Sequence, residues 1–492
     1  MRRDRLESLL WEQIPFENFV MYGGSITQEN LDEIPFETVD ELKISRDSDY
    51  KINVSCVGHS NRGNTKAIVP VKSSDNLPGT MVSEGKIHIC LFKDYHIDLS
   101  HCYFNGYVSG LEKTDYKLKC YHVEGCIDAS EISAVKEWVI NGEKNYLSYC
   151  GNAGLEYRGK DSIVGKHGDL TFPKKKTMED RAYFGRLIHI KYKDTAFDIH
   201  FLSDDYGPTW STNISIAYFQ EYGRIPGLKE REIIRDYLSF FTGKKLLYIG
   251  ETSYDKYGNQ CGFVMENPRT YGFDIKKICG DSGRTPINVR FNSGNDYISV
   301  LQKYIEPFLY IYEKLDLYSL LTSYWYAKEI AKPFDLPILS GALERLIKKW
   351  FKECELNPDI LLMEKKDYSN RIKPIINLID KQFEGSDYLD RMKRSFSGLN
   401  KMSVGEQLEH FFKKIELNIR KSEKEAIRAR NIPAHGAFGV KEEDYELFIK
   451  HSQVYETLIN RIILKLINYE GAYIDYGTLG FPEKELDCPI GD

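Results

Sequence analysis

The part of the sequence richest in groups that could do chemistry is RNIPAHG, residues 430–436. It sets Arg430 and His435 at an R-x4-H spacing, and Asn431 follows the arginine directly. An imidazole with a pKa of about 6.5 gives and takes protons at neutral pH. A guanidinium binds a phosphate through two parallel hydrogen bonds. Together these residue types suit proton transfer at a phosphate group.

The surrounding residues predict that Arg430 and His435 flank the end of a helix. Pro433 lacks a donor N–H and disfavours the α region for Ile432, so the preceding helix must stop there. Gly436 then permits the chain to reverse.

The local charge also favours a phosphate-bearing ligand. Residues 413–430 carry seven basic side chains against three glutamates, an excess of four positive charges in a chain whose net charge is -6. Such a basic island attracts an anionic ligand. The alternative is a solvated helical face, with Arg430 and His435 satisfied by neighbouring carbonyl groups.

The elements that must hold this segment change in character near residue 295. Before it, residues 86–92, 186–193 and 211–219 alternate between apolar and polar side chains, which predicts strands of half-buried antiparallel sheets. Residues 229–241 carry apolar side chains at helical spacing, and Thr242-Gly243 predicts the end of that helix. The breaker-rich residues 280–296 indicate a linker.

After residue 297 the pattern is helical. Apolar and aromatic side chains recur at helical spacing over residues 297–331, and prolines interrupt them. Ser403 and Glu406 have the spacing of a capping box. Further helices are predicted over residues 339–350, 370–383 and 442–467.

The predicted fold class is therefore α+β. The expected division is a β-rich N-terminal region over residues 1–295, possessing one or two subdomains, an all-α helical bundle over 296–480, and a C-terminal tail over 481–492.

The composition is that of an ordinary globular protein, with 492 residues, 42% hydrophobic and 28% charged. The net charge of -6 excludes a polycation that holds nucleic acid by bulk charge. Ten cysteines are too few for a disulfide scaffold, so we expect reduced thiols and a cytoplasmic protein. We predict no signal peptide and no membrane-spanning segment.

Cysteines and histidines also lie near one another at several places in the N-terminal region. The groups that could supply zinc ligands are Cys56 with His59, His101 with Cys102, and Cys120 with His122 and Cys126. None has paired C-x2-C spacing, so the sequence predicts no metal and no cofactor. A metal-dependent hydrolase that uses these groups remains an alternative.

RNIPAHG resembles the R-x4–6-H signature of HEPN domains, in which the residue after the arginine is polar and often asparagine. The layout is also similar to a HEPN bundle, because the motif lies between a basic helix and a long final helix. The whole chain resembles the ApeA family of bacterial anti-phage HEPN proteins, in which a β-rich region precedes the HEPN domain. Residues 228–243 and 464–476 also match that family in pattern.

The resemblance implies a metal-independent endoribonuclease. In such an enzyme a ribose 2′-hydroxyl attacks the adjacent phosphate and leaves a 2′,3′-cyclic phosphate and a 5′-hydroxyl. It implies that His435 is the general acid or base and that Arg430 stabilises the transition state. Asn431 would orient His435 or the phosphate. Glu344 stands where HEPN domains often place an acidic partner for the motif; the alternative is a solvated surface glutamate.

The resemblance also implies the partners. RNA is the substrate, with tRNA as the candidate, and Arg428 and Lys424 would contact its backbone unless they belong to a plain solvated face. Two motifs across a two-fold axis would supply two proton-transfer groups, so a homodimer or higher homo-oligomer is expected. The N-terminal region would sense a phage protein as trigger during abortive infection, with no membrane involved. The main alternative is a non-catalytic HEPN-like module for dimerisation or for binding a nucleotide or other ligand.

Overall fold

The fold is described from a computed structural model. It describes residues 19–26, 38–59, 87–92, 95–109, 113–127, 131–142, 153–157, 160–165, 168–173, 184–201, 213–257, 260–270, 272–280, 283–288, 294–431 and 442–491. The chain divides into two compact units. The first unit contains residues 1–284 and 289–303, and the second contains residues 285–288 and 304–492. The predicted division at 295/296 falls inside a helix, Gly294–Leu315.

The first unit is dominated by one antiparallel sheet of fifteen described strands. The strands are β1 (Phe19–Ile26), β2 (Thr38–Arg46), β3 (Ile52–His59), β4 (Ile87–Phe92), β5 (Tyr95–Ser109), β6 (Thr114–Ile127), β7 (Ala134–Ile140), β8 (Ala153–Tyr157), β9 (Lys160–Gly165), β10 (Gly168–Pro173), β11 (Phe184–Tyr192), β12 (Thr195–Phe201), β13 (Ile214–Phe219), β14 (Leu247–Tyr254) and β15 (Gln260–Glu266). The predicted strands at 86–92, 186–193 and 211–219 are confirmed as β4, β11 and β13, although β13 is buried along its whole length and is not half-buried as expected.

Six of these strands close into a ring, in the order β6-β3-β2-β1-β4-β5 and back to β6. The other nine strands continue from β6 in one line, β15-β14-β7-β13-β12-β11-β8-β9-β10. Alternate side chains of the ring strands form one buried apolar cluster, which includes Leu42, Val54, Ile89, Ile97 and Val123. Closure removes strand edges that would otherwise stay unpaired. The ring therefore packs around an apolar core, and the same cluster continues into β7, β14 and β15 through Trp138, Leu247 and Met265.

A helix, α1 (Leu228–Thr242), lies in the same unit and ends at Gly243, whose positive φ of 71° closes it as predicted. It carries Arg231 and Arg235, which both pair with the fully buried Glu137 of β7. Arg231 also reaches Glu251 of β14 at 2.6 Å. Two guanidinium groups thus compensate two carboxylates at the contact between helix and sheet, where an unpaired charge would be costly. A short helix, α2 (Ile275–Gly280), follows β15.

The second unit is built from helices. Helix α3 (Gly294–Leu315) enters it from the first unit, and the helices after it are α4 (Leu317–Lys328), α5 (Asp335–Glu353), α6 (Lys365–Gln382), α7 (Leu389–Gly398), α8 (Val404–Lys414), α9 (Lys421–Ala429) and α10 (Glu442–Leu466). The expectation of a β-rich region followed by a helical one is therefore confirmed. The apolar stripes of α5 and α10 form much of the core of this unit, including Leu343, Leu346, Leu458 and Ile462.

Three details of the helical unit bear on the sequence predictions. The continuous helical pattern over residues 297–331 is divided into α3 and α4 at Asp316, which has a φ of 55°. The capping box is confirmed, since Ser403 accepts from the N–H of Glu406 and the Glu406 carboxylate accepts from the N–H of Ser403. Residues predicted as a tail contain β17 (Glu483–Glu485), which pairs with β16 (Ala472–Ile474).

No helix in the described ranges is both long and apolar enough to cross a membrane.

His122 on β6 gives a pH-dependent contribution to the stability of the first unit. The carboxylates of Glu124 and Glu266 raise the pKa of His122 to about 9, against the opposing effect of burial. Because its unfolded pKa is about 6.5, this stabilisation is complete below about pH 6.5 and is lost as the pH rises through about 9. We expect it to be on the order of 1–2 kcal/mol.

The measurement is the unfolding midpoint of wild type and His122→Gln, taken at a series of pH values across that window. The gap between the two proteins should shrink as the pH rises. A gap that stays constant would contradict the assignment of the shift to these two carboxylates.

Candidate active site

Helix α9, which ends at Arg430, is anchored by a buried ion pair. Glu423 on α9 pairs with Arg461 on α10, and neither side chain is exposed. Arg461 also donates to the carbonyl oxygens of Asn418 at 3.1 Å and Leu486 at 2.9 Å. Glu423 in turn accepts from the N–H of Arg420 at the start of α9. The ion pair and these hydrogen bonds therefore fix the N-terminal part of α9 against α10.

Arg430 is the C-terminal cap of α9, and its guanidinium contacts α5. Its Nη1 donates to the hydroxyl of Ser340 and pairs with the carboxylate of Glu344. Ser340 and Glu344 are four residues apart on α5, so they share one helix face. The side chains of Arg430 and Glu344 are 24% and 27% exposed. The structure thus brings together two of the residues singled out from the sequence.

Tyr455 of α10 lies in the same cluster. Burial raises the pKa of Tyr455 to about 12, while a hydrogen bond with Ser340 and the charge of Arg430 act in the opposite direction. The phenol therefore stays protonated at neutral pH. Three helices, α5, α9 and α10, contribute polar groups to this cluster: Ser340, Glu344, Arg430 and Tyr455.

Sequence reasoning did not assign a role to Ser340 or Tyr455. A signal was present for Ser340, since it precedes Glu344 by one helical turn on a helix whose stripe is otherwise apolar. Tyr455 gave no signal beyond its place in the apolar stripe of the last helix.

The outer face of α9 is basic. Lys424 and Arg428 are exposed, as is Asn431 directly after Arg430. The inner residues Ala426 and Ala429 are buried. Positive charge is therefore presented to solvent along the helix that leads to Arg430, where a phosphodiester backbone could lie.

His435 lies outside the described residues, so its position relative to Arg430 remains a prediction. A described histidine, His451 on α10, is buried, and burial lowers its pKa. The charge of Glu425 on α9 opposes that shift, and the charge of Lys450 reinforces it. This imidazole is therefore neutral at pH 7.

A second polar cluster lies between α5 and α10. Lys332 donates to Asp335 at 2.8 Å and to Glu456 at 3.2 Å. Burial raises the pKa of Asp335, although the charge of Lys332 opposes this. Asp335 and Glu456 are almost completely buried, so one ammonium group compensates two carboxylates. This arrangement ties the start of α5 to the middle of α10 and so helps to set the position of Ser340.

The zinc groups considered from the sequence are not assembled among the described residues. Cys56 and Cys120 belong to the apolar core of the ring. His122 is engaged with Glu124 and Glu266. The side chains of His59 and Cys102 lie outside the described part of the structure. The described residues that come close enough to share a metal ion are a different set, His88, Cys90 and His96.

Comparison with known proteins found no matching family model, no matching curated protein and no matching solved structure. The resemblance to HEPN domains therefore rests on the residues of the 430–436 segment, on their helical setting and on the match in pattern along the chain.

Proposed function

We propose that this protein is a metal-independent endoribonuclease of the HEPN type that acts in abortive anti-phage defence, with tRNA as the candidate substrate. The observation that carries the proposal is the placement of Arg430. Its guanidinium stands at the end of α9, is held by Ser340 and Glu344 of α5, and remains about a quarter exposed. A cation positioned in this way beside a basic helix face suits a phosphate of RNA.

The proposed reaction needs two proton transfers. A base takes the proton of a ribose 2′-hydroxyl, O2′ bonds to phosphorus, and the bond from phosphorus to the 5′-oxygen breaks while an acid protonates that oxygen. His435 is assigned to one of these transfers, and Arg430 to the charge that gathers on the phosphate oxygens. Since one motif supplies one imidazole, we propose that a homodimer brings two motifs together.

Contacts on α5 support a positioning role for Glu344. A carboxylate beside Arg430 keeps the guanidinium from reorienting before substrate binds, and Ser340 accepts a second hydrogen bond from the same Nη1. Asn431, Lys424 and Arg428 are exposed next to this cluster. We assign Asn431 to orientation of His435 or the phosphate, and the two basic residues to the RNA backbone. The first unit is proposed to sense a phage protein and to control the nuclease.

The decisive experiment maps the ends of cellular RNA in phage-infected cells that express wild type or His435→Ala. Wild type should produce new 5′-hydroxyl and 2′,3′-cyclic phosphate ends, and His435→Ala should not. His410→Ala is the matched control, because His410 is a partly exposed histidine of the same unit that pairs with Glu355 at 3.4 Å. It should cleave as wild type does.

The rival functions predict different outcomes. A non-catalytic binding module would protect against phage equally well with and without His435, and no new RNA ends would be found. A metal-dependent hydrolase would lose cleavage in excess EDTA, whereas the proposed chemistry should continue unchanged.

A further inference from the structure

The hairpin of β4 and β5 separates its side chains onto two faces. Its apolar side chains are at most 4% exposed and belong to the ring core: Ile87, Ile89, Ile97 and Leu99. The alternate positions carry polar groups that could bind a metal, all partly exposed: His88, Cys90, His96 and Asp98. The pattern is H-x-C on one strand and H-x-D on the other. Because side chains alternate along a strand, each pair projects on the same side.

The register of the hairpin brings the four groups together. His88 lies opposite Asp98, and Cys90 lies opposite His96. Nδ1 of His88 is 2.5 Å from Oδ1 of Asp98, and Sγ of Cys90 is 3.5 Å from Nδ1 of His96. The two imidazole rings stack with their centroids 4.9 Å apart. Ligand atoms from His88, Cys90 and His96 all lie within 4.8 Å of one another.

One of these distances matches an edge of a tetrahedral zinc site. With Zn–N of about 2.0–2.1 Å and Zn–S of about 2.3 Å, the edge from nitrogen to sulfur of a tetrahedron is about 3.5 Å. The separation between Cys90 and His96 has that length. Asp98 holds Nδ1 of His88 and leaves Nε2 of that ring for a metal. A carboxylate on the distal nitrogen is the usual way in which proteins orient a metal-binding histidine.

We propose that His88, Cys90 and His96 bind a zinc ion on the outer face of the strand ring, with Asp98 orienting His88. Neutral imidazole and thiolate ligands are those that Zn²⁺ prefers. Three protein ligands leave the fourth position for water or for a donor group that arrives from solvent. The ion would fasten β4 to β5 and so stabilise closure of the ring. The proposal concerns the first unit and does not depend on the proposed ribonuclease activity.

The register explains why this site differs from the groups expected from the sequence. Cys90 and His96 become neighbours only through the pairing of β4 with β5, whose register places the two residues opposite each other.

The test uses the full chain, freed of metal with a chelator and titrated with Co²⁺ and Zn²⁺. Wild type should bind about one ion per chain, and its cobalt form should show a thiolate-to-metal charge-transfer band and the strong visible absorption of tetrahedral cobalt. Cys90→Ser should lose the charge-transfer band, and His96→Ala should lose stoichiometric binding. Asp98→Asn, which keeps all three ligands, should bind zinc about 10–100-fold more weakly.

Two control variants separate this site from other thiols and histidines. Cys354→Ser removes an exposed cysteine of the second unit, and His122→Ala removes a partly buried histidine of the same sheet. Both should keep the wild-type cobalt spectrum. The proposal is overturned if wild type shows no thiolate band with Co²⁺, or if a variant with both Cys90→Ser and His96→Ala still binds one ion. Because the wild-type spectrum alone can overturn it, the test survives a variant that fails to fold.

Discussion

Arg430→Gln is expected to lower kcat for RNA cleavage by about 10²–10³-fold, the usual cost of removing a donor that stabilises transition-state charge. Glutamine can still bond to Ser340, so the local packing changes little. What it lacks is the positive charge that the proposed chemistry directs at the phosphate oxygens. The effect should therefore fall on kcat more than on KM. The measurement is steady-state cleavage of a defined RNA by purified full-length protein.

A purely structural role for Arg430 would give a different pattern. If its task were only to pair with Glu344, the variant would melt at a lower temperature and kcat of the folded fraction would be unchanged. Arg345→Gln is the matched control, since this arginine of α5 pairs with Asp316 at 2.7 Å and is two-thirds exposed. It should cleave as wild type does. A kcat for Arg430→Gln within about twofold of the control would remove Arg430 from the mechanism.

Arg430→Lys separates charge from geometry. Lysine keeps the charge but lacks the planar fork that contacts Ser340 and could bind a phosphate at two points. We expect activity between those of wild type and Arg430→Gln. Glu344→Gln should act through Arg430, because it releases the guanidinium without removing it. The loss of cleavage rate should be smaller than for Arg430→Gln, and part of the rate should return at higher RNA concentration.

Local sequence patterns predicted individual elements well and their assembly poorly. Alternation of Ile87 and Ile89 with polar neighbours is sufficient to predict β4, and Gly243 is sufficient to end α1. Closure of the ring depends on the pairing of β3 with β6, which joins residues such as Ile52 and Cys120 that lie far apart in the sequence. The hydrophobic periodicity of a strand does not indicate which distant strand it pairs with.

The same limit applies to the candidate site. Arg430 stood out because a helix-breaking proline follows it closely, whereas its contacts with Ser340 and Glu344 join positions about ninety residues apart in the chain. The break between α3 and α4 was missed because Asp316 adopts a left-handed conformation that asparagine or glycine signals more clearly. Chemistry could be inferred from residue types, but the partners of each group required the fold.

Arg461→Met is expected to destabilise the second unit by about 3–5 kcal/mol, because it leaves Glu423 buried without a compensating charge. Glu423 is fully buried, and burial already raises its pKa although Arg461 opposes the shift. Without Arg461 the pKa of Glu423 should rise further, so the carboxyl group protonates on folding. The cost should then shrink as the pH falls. The carbonyl groups of Asn418 and Leu486 also lose their donor.

Hydrogen exchange with peptide resolution measures this effect where it arises, in α9 and in the C-terminal part of α10 around Arg461. Arg428→Met, which removes an exposed arginine of α9, is the control and should change stability by no more than about 0.5 kcal/mol. A double variant, Arg461→Met with Glu423→Gln, should recover part of the loss, since glutamine can keep the capping contact with the N–H of Arg420. If amide hydrogen exchange in Arg461→Met matched that of wild type at every pH, the buried pair would not be what fixes α9. The contacts with α5 alone would then position Arg430.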